Sequence, residues 1–214
     1  MKVNTLRRTG GLAAAALTLS LGLAACGGEE EPTAGSDQTS QQDSSQQDSE
    51  PMADDASAET YGAGCAQVPT DGAGSFNGMA TAPVASAASA NPLLKTLVAA
   101  VTEAGLVEPL NSAPQLTVFA PADPAFEAIP PKDMKAVMSD KQMLGSILKH
   151  HVVGEQISPD ELSGEFETLN GDTLKVNGSG EMATIGGEKA QVLCGNIQTA
   201  NATVYVIDTV LMPS

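Results

Sequence analysis

The sequence has no tryptophan, and two tyrosines and four phenylalanines are all the aromatic side chains in its 214 residues. A core must therefore be assembled from leucine, valine, isoleucine, alanine and methionine. Basic residues are scarce as well: 10 Lys and Arg stand against 26 Asp and Glu, a net charge of -16. Such a chain does not condense on phosphate backbones by counterion release, nor on anionic lipid through its charges, which excludes nucleic acid as a partner. The acidity suits a domain kept soluble and monomeric by self-repulsion. The sequence contains no Gly-x-Ser-x-Gly elbow, no phosphate-cradling glycine loop and no His-Glu-x-x-His pair. Its two histidines, His150 and His151, are adjacent. Neighbouring helical residues do not face one another, and zinc would need further converging ligands, so no metal or cofactor is signalled. The reading is a protein that is not an enzyme.

Long apolar runs are also missing. A bilayer-crossing helix needs about 20 apolar residues, and the run over residues 12–23 is shorter than that. It follows Lys2, Arg7 and Arg8 and is closed by small residues, the layout of a secretory signal. Leu23-Ala24-Ala25-Cys26 resembles the bacterial lipobox. That resemblance implies a diacylglyceryl group on the Cys26 thiol and cleavage before it, over a signal spanning residues 1–25. Two acyl chains hold a protein at a membrane where one does not, since each buried methylene adds about 0.8 kcal/mol. Loss of the signal would remove three basic residues and no acid, taking the net charge from -16 to -19.

Three cysteines are present. With Cys26 assigned to lipidation, Cys65 and Cys194 remain, and an even remainder in an exported protein reads as a disulfide. A metal site or reactive thiol is the alternative, but neither residue has a Cys-x-x-Cys partner or a neighbouring histidine. Between residues 27 and 60 lie ten acidic residues, from Glu29 to Glu59, and no basic one. Set among Ser, Gln, Thr, Gly and Pro, they cannot bury enough apolar surface to offset ordering entropy. Residues 26–60 are thus expected to be a lipidated cysteine and a disordered acidic tether, reaching on the order of 30 Å as a flexible coil.

Residues 61–214 are expected to form one domain. Asn91 and Pro92 read as the start of a helix over 92–104, with Leu94, Leu97, Val98 and Val101 in one buried stripe. Residues 116–120 read as a short strand, followed by Asp123-Pro124 as a cap and first-turn proline for a brief helix that Pro130 and Pro131 end. Another helix is expected after Asp140, with Leu144, Ile147, Leu148 and His151 on its buried face and His150 exposed. Ser158 and Glu161 suggest a capping box and one turn of helix. From Phe166 onward the pattern is strand and turn, over 166–169, 173–176, 182–185 and 189–193, with Gly186-Gly187 as a hairpin signal. The last strand, 203–211, is β-branched almost throughout, as suits a strand covered on both faces. Asp208 within it is the acid to inspect, for a hydrogen bond to a nearby turn or for general-acid chemistry. Helices first and strands later make the class α+β.

Two blocks carry a family likeness. The segment Thr117-Val118-Phe119-Ala120-Pro121-Ala122-Asp123-Pro124-Ala125-Phe126 resembles the first signature of the fasciclin domain, and Thr203-Val204-Tyr205-Val206-Ile207-Asp208-Thr209-Val210-Leu211-Met212-Pro213 resembles the second. Between them, Ile147-Leu148-Lys149-His150-His151-Val152-Val153 is similar to the family's central leucine–tyrosine–histidine segment, with His150 in the tyrosine's place. The likeness covers residues 79–213. The stretches around Cys65 and Cys194, and Thr199-Ala200-Asn201-Ala202-Thr203, are similar to mycobacterial members of the family, which implies a Cys65–Cys194 disulfide. The resemblance also implies a β-sandwich-like wedge flanked by several helices. In eukaryotic members the central segment is linked to partner binding, which makes Lys149 and His150 the candidate contact residues. The function expected is that of a lipid-anchored surface protein on the extracytoplasmic face, partly secreted in some molecules, and binding an extracellular protein or glycan. The alternative is a structural or envelope-stress lipoprotein that supports the cell wall.

Overall fold

A computed structural model describes residues 56–213; the signal segment, Cys26 and most of the expected tether lie outside the described residues. The packed chain starts before Tyr61. The Ala56 N–H donates to the Asn77 carboxamide at 2.9 Å, and the Glu59 carbonyl accepts from Asn196 Nδ2 at 3.2 Å.

Four short helices come first: α1 (Phe76–Ala80), α2 (Val84–Ala90), α3 (Lys95–Glu103) and α4 (Val107–Ser112). Strand β1 (Leu116–Pro121) follows, then α5 (Asp123–Glu127), α6 (Pro131–Ser139), α7 (Lys141–His150) and β2 (Val152–Val153). The remainder is β3 (Gly164–Glu167), β4 (Thr173–Asn177), β5 (Thr184–Ile185), β6 (Ala190–Gln198) and β7 (Ala202–Ile207). This is the α+β class that the order of sequence patterns implied.

The seven strands form one mixed sheet in the order β2-β1-β7-β6-β5-β4-β3. Its parallel pair is β1 and β7, in register from Leu116 with Ala202 to Pro121 with Ile207. Every residue of both strands is buried, as a parallel pair covered on both faces requires. The sheet rolls until its ends meet: Val153 of β2 bridges Thr168, just past β3, and the Leu169 N–H donates to the Val152 carbonyl at 2.8 Å.

The roll separates two apolar cores. Inside it, Phe119 and Tyr205 stack with ring centroids 5.8 Å apart, against Leu174, Val176, Ile185 and Ile207. The Tyr205 hydroxyl is satisfied by the Ile157 carbonyl at 2.8 Å. On the other face, Val118, Ala120 and Val204 pack under Leu94, Leu97, Ala100 and Leu148 of the helices. This is the flanked wedge that the resemblance implied.

Several local expectations shift for identifiable reasons. Helix α3 begins at Lys95 rather than Pro92 because the Asn91 carboxamide accepts the Leu93 N–H at 3.0 Å, forming a turn before the helix. The first turn of α3 is instead capped from afar, by Asp123 Oδ1 accepting the Thr96 N–H at 2.8 Å. Asp123 therefore does not cap α5, whose N-cap is Ala122. Helix α5 ends before Pro130 and Pro131 as expected, and Pro131 then opens α6 as its first residue, where its fixed φ and missing N–H fit. Asp140 caps α7 as expected, accepting from the Gln142 and Met143 N–H groups at 3.0 and 3.1 Å. Ser158 and Glu161 join side chains at 2.8 Å in a turn, not a helix. The Gly186-Gly187 turn links β5 to β6, with Gly186 at φ 72.

Cys65, in a turn of 3-10 helix (Ala63–Gln67), is disulfide-bonded to Cys194 of β6 across a sequence separation of 129. Beside the bridge, the ring of Tyr61 lies against Gly195, where an added Cβ would come within 2.4 Å of it.

Candidate functional site

Helix α7 ends on two consecutive histidines, and the structure assigns them different tasks. His151 is buried, as its place on the apolar stripe requires, and both ring nitrogens are engaged. Nε2 accepts the Leu211 N–H at 2.9 Å, and Nδ1 lies 2.8 Å from the Ile147 carbonyl. Since the amide of Leu211 is a donor, Nε2 must be bare and the proton sits on Nδ1. Burial pushes the His151 pKa down to about 4, against the smaller opposing pull of the Ile147 carbonyl.

His150 corrects the sequence expectation: it is buried rather than exposed. Its Nδ1 lies 2.7 Å from Asp172 Oδ1. Asp172 also accepts from the Thr168 hydroxyl and from Asn170 Nδ2, the latter at 2.9 Å. Asn170 in turn accepts from Ser146 of α7 at 2.8 Å. The loop 168–172 between β3 and β4 thus folds over the end of α7 and covers His150. Partial burial raises the Asp172 pKa, but the hydrogen bonds from Thr168, His150 and Asn170 outweigh it and hold it at about 2. Of the two candidate contact residues, only Lys149 stays at the surface. Adjacency on a helix could not reveal this, because the covering loop comes from beyond β3.

Asp208 lies just past β7, exposed, and its Oδ1 accepts the Gln191 N–H and the Thr209 hydroxyl, both at 2.9 Å. It holds the start of β6. Among the described residues, no three His, Cys, Asp or Glu side chains converge to hold a metal ion. Nor, among them, is any helix long and apolar enough to cross a membrane.

A cavity of about 110 Å³, walled almost entirely by apolar side chains, lies between the helices and the sheet. Ala85 and Ala88 of α2 face Val98 and Val101 of α3, with Leu110 of α4 and Val118 of β1 beneath. Small alanines on α2 leave the space that larger side chains would fill. Val107 and Leu169 stand at its border, 36% and 48% exposed, and Lys149 is the one charged residue in the lining. Asn201 fixes the frame. Its Oδ1 accepts the Val84 N–H at 2.9 Å, and its Nδ2 donates to the carbonyls of Leu110 and Ala113 at 2.9 and 2.8 Å. One side chain thereby ties the start of α2 to the end of α4. Sequence reasoning noticed the Asn201 segment but not this role, since its partners lie up to 117 residues away.

A model of the fasciclin domain matches residues 92–213. The cell surface glycolipoprotein MPT83 of Mycobacterium tuberculosis is 44% identical over 171 residues, covering 76% of this chain and 76% of that protein. The immunogenic protein MPB70 of Mycobacterium bovis is 44% identical over 167 residues, covering 74% of this chain and 84% of that protein. The protein sll1483 of Synechocystis is 35% identical over 129 residues, covering 59% and 71%. Among solved structures, a FAS1 domain pair from the insect cell adhesion molecule Fasciclin I aligns with TM-score 0.47 and 24% identity, over 56% of this chain and 45% of that one.

Proposed function

This chain belongs to the fasciclin-domain family, and from that membership we propose that it is a non-catalytic surface module, displayed outside the cell to bind an extracellular protein or glycan. The single observation that carries the reading is the 44% identity, across three quarters of the chain, to a protein named a cell surface glycolipoprotein. In this reading residues 1–25 direct export, Cys26 carries the diacylglyceryl anchor, and the acidic residues after it space the domain from the bilayer. The domain meets its partner as a monomer, by side-chain contacts on a rigid surface, and its polar groups are spent on structure. Both nitrogens of His151 and the carboxylates of Asp172 and Asp208 are engaged in holding the fold, which supports a binding rather than a chemical role.

The test has two arms. Intact cells carrying the wild-type gene should yield the protein to external protease, and mass spectrometry should find the acylated Cys26 at its N-terminus. Cys26→Ala should abolish acylation and release the protein or leave it unprocessed. Retention of verified unlipidated protein in the membrane would overturn the anchor. A deletion strain should lose attachment to partner-coated surfaces while keeping wild-type resistance to detergent; the reverse pattern would favour a role in wall integrity.

A further inference from the structure

We propose that the cavity between α2, α3 and β1 takes the tail of a single-chain anionic amphiphile, a free carboxylate of medium acyl length, with Lys149 pairing with the carboxylate. This goes beyond the surface role proposed above and does not depend on where the protein is displayed.

Three observations carry it. The first is the lining: apart from Lys149 and the fully engaged His151, the walls are aliphatic or aromatic, and an apolar cavity of this kind stays dry and favours an apolar guest. Size is the second. At about 110 Å³ the space is smaller than a ~150 Å³ cavity that admits benzene, so it fits the end of one slender chain rather than a ring or a pair of tails. The third is charge. In a chain of net charge -16, the one charged side chain in the lining is a lysine. Among the described residues the Lys149 ammonium has no hydrogen-bond or ion-pair partner. Exposed Val107 and Leu169 extend the apolar surface at the border, where the upper part of the chain would lie before its carboxylate meets Lys149. An anionic head is therefore selected over a cationic or neutral one.

The probes are decanoate, decanol and decyltrimethylammonium, each below its micelle-forming concentration, titrated by calorimetry into the full mature chain carrying Cys26→Ala so that no covalent acyl group competes. Decanoate should bind at least tenfold tighter than decyltrimethylammonium. Lys149→Glu should weaken decanoate tenfold or more, leave decanol within twofold, and tighten the cation. Ala88→Phe should fill the cavity and abolish binding of all three, and Val98→Phe serves the same purpose should Ala88→Phe fail to fold. Equal affinity for anion and cation, undiminished decanoate binding by a folded cavity-filled variant, or no binding of any probe would each overturn the proposal. Should no probe bind while cavity filling abolishes attachment to a macromolecular partner, the cavity is a protein-docking site and the amphiphile is excluded.

Discussion

His151 Nε2 accepts the backbone N–H of Leu211, 60 residues further along the chain, at 2.9 Å. The imidazole thereby pins the C-terminal segment to α7, and it does so only while neutral. Its pKa is pushed down to about 4 in the fold, from 6.5 when unfolded, so the unfolded chain binds the extra proton first as pH falls. The stability this residue contributes is complete above about pH 6.5 and is lost between there and pH 4. Thermal melts across that window should show Tm declining with pH. His151→Asn should flatten the decline and cost roughly 1–3 kcal/mol at pH 7, the penalty for leaving buried partners unsatisfied. A Tm independent of pH between 6.5 and 4 in the wild type would refute the assignment.

The His150–Asp172 contact should govern a local opening. Asp172→Ala removes the acceptor shared by His150, Thr168 and Asn170. We expect amide exchange in residues 168–172 to accelerate at least tenfold and protease nicking to appear near Gly171, while β1 and β7 keep their protection. Unchanged exchange in the loop would mean that backbone pairing alone holds it closed.

Asn201→Ala should cost about 1–3 kcal/mol, because the Val84 amide and the Leu110 and Ala113 carbonyls lose their partner together. The loss should appear as a lower denaturant midpoint. Methyl chemical shifts in the cavity walls should move more than those of the inner core around Phe119 and Tyr205. A midpoint within error of the wild type would show that α2 and α4 are held by packing alone.

Opening the Cys65–Cys194 bridge, by Cys65→Ser with Cys194→Ser, should destabilise the domain by roughly 2–5 kcal/mol, in line with loss of a long-range link from a small domain. Differential scanning calorimetry under oxidising conditions measures this directly, and an unchanged Tm would mean the bridge is energetically idle. Gly195→Ala should be harmful in the same region, since its Cβ would collide with the Tyr61 ring.

What could be read from the sequence was what is encoded locally. Helix α7 announces itself through the Asp140 cap and the spacing of Leu144, Ile147 and Leu148, and β7 through its β-branched run. The β5–β6 hairpin was likewise legible in its two glycines. Helices α2 and α4 were missed because their stability is not local: the alanines of α2 carry little apolar signal, and its first amides are satisfied by Asn201 and Asn111. Asp123 was assigned to the wrong helix for the same reason, as its carboxylate reaches back 27 residues to Thr96. His150 was misplaced because helical periodicity describes one element's faces and not the loop that another brings over them. The cavity was invisible, being a property of side chains that fail to fill a space.

Where Val153 meets Thr168 the sheet's first and last strands are brought together, and the uncovered part of β3 carries Glu165 and Glu167, both exposed. The edge left open along β3 is only four residues long and carries two like charges, which disfavours an extended foreign peptide, or another copy, adding itself as an eighth strand. Copies crowded at high local concentration should therefore resist amyloid-like polymerisation.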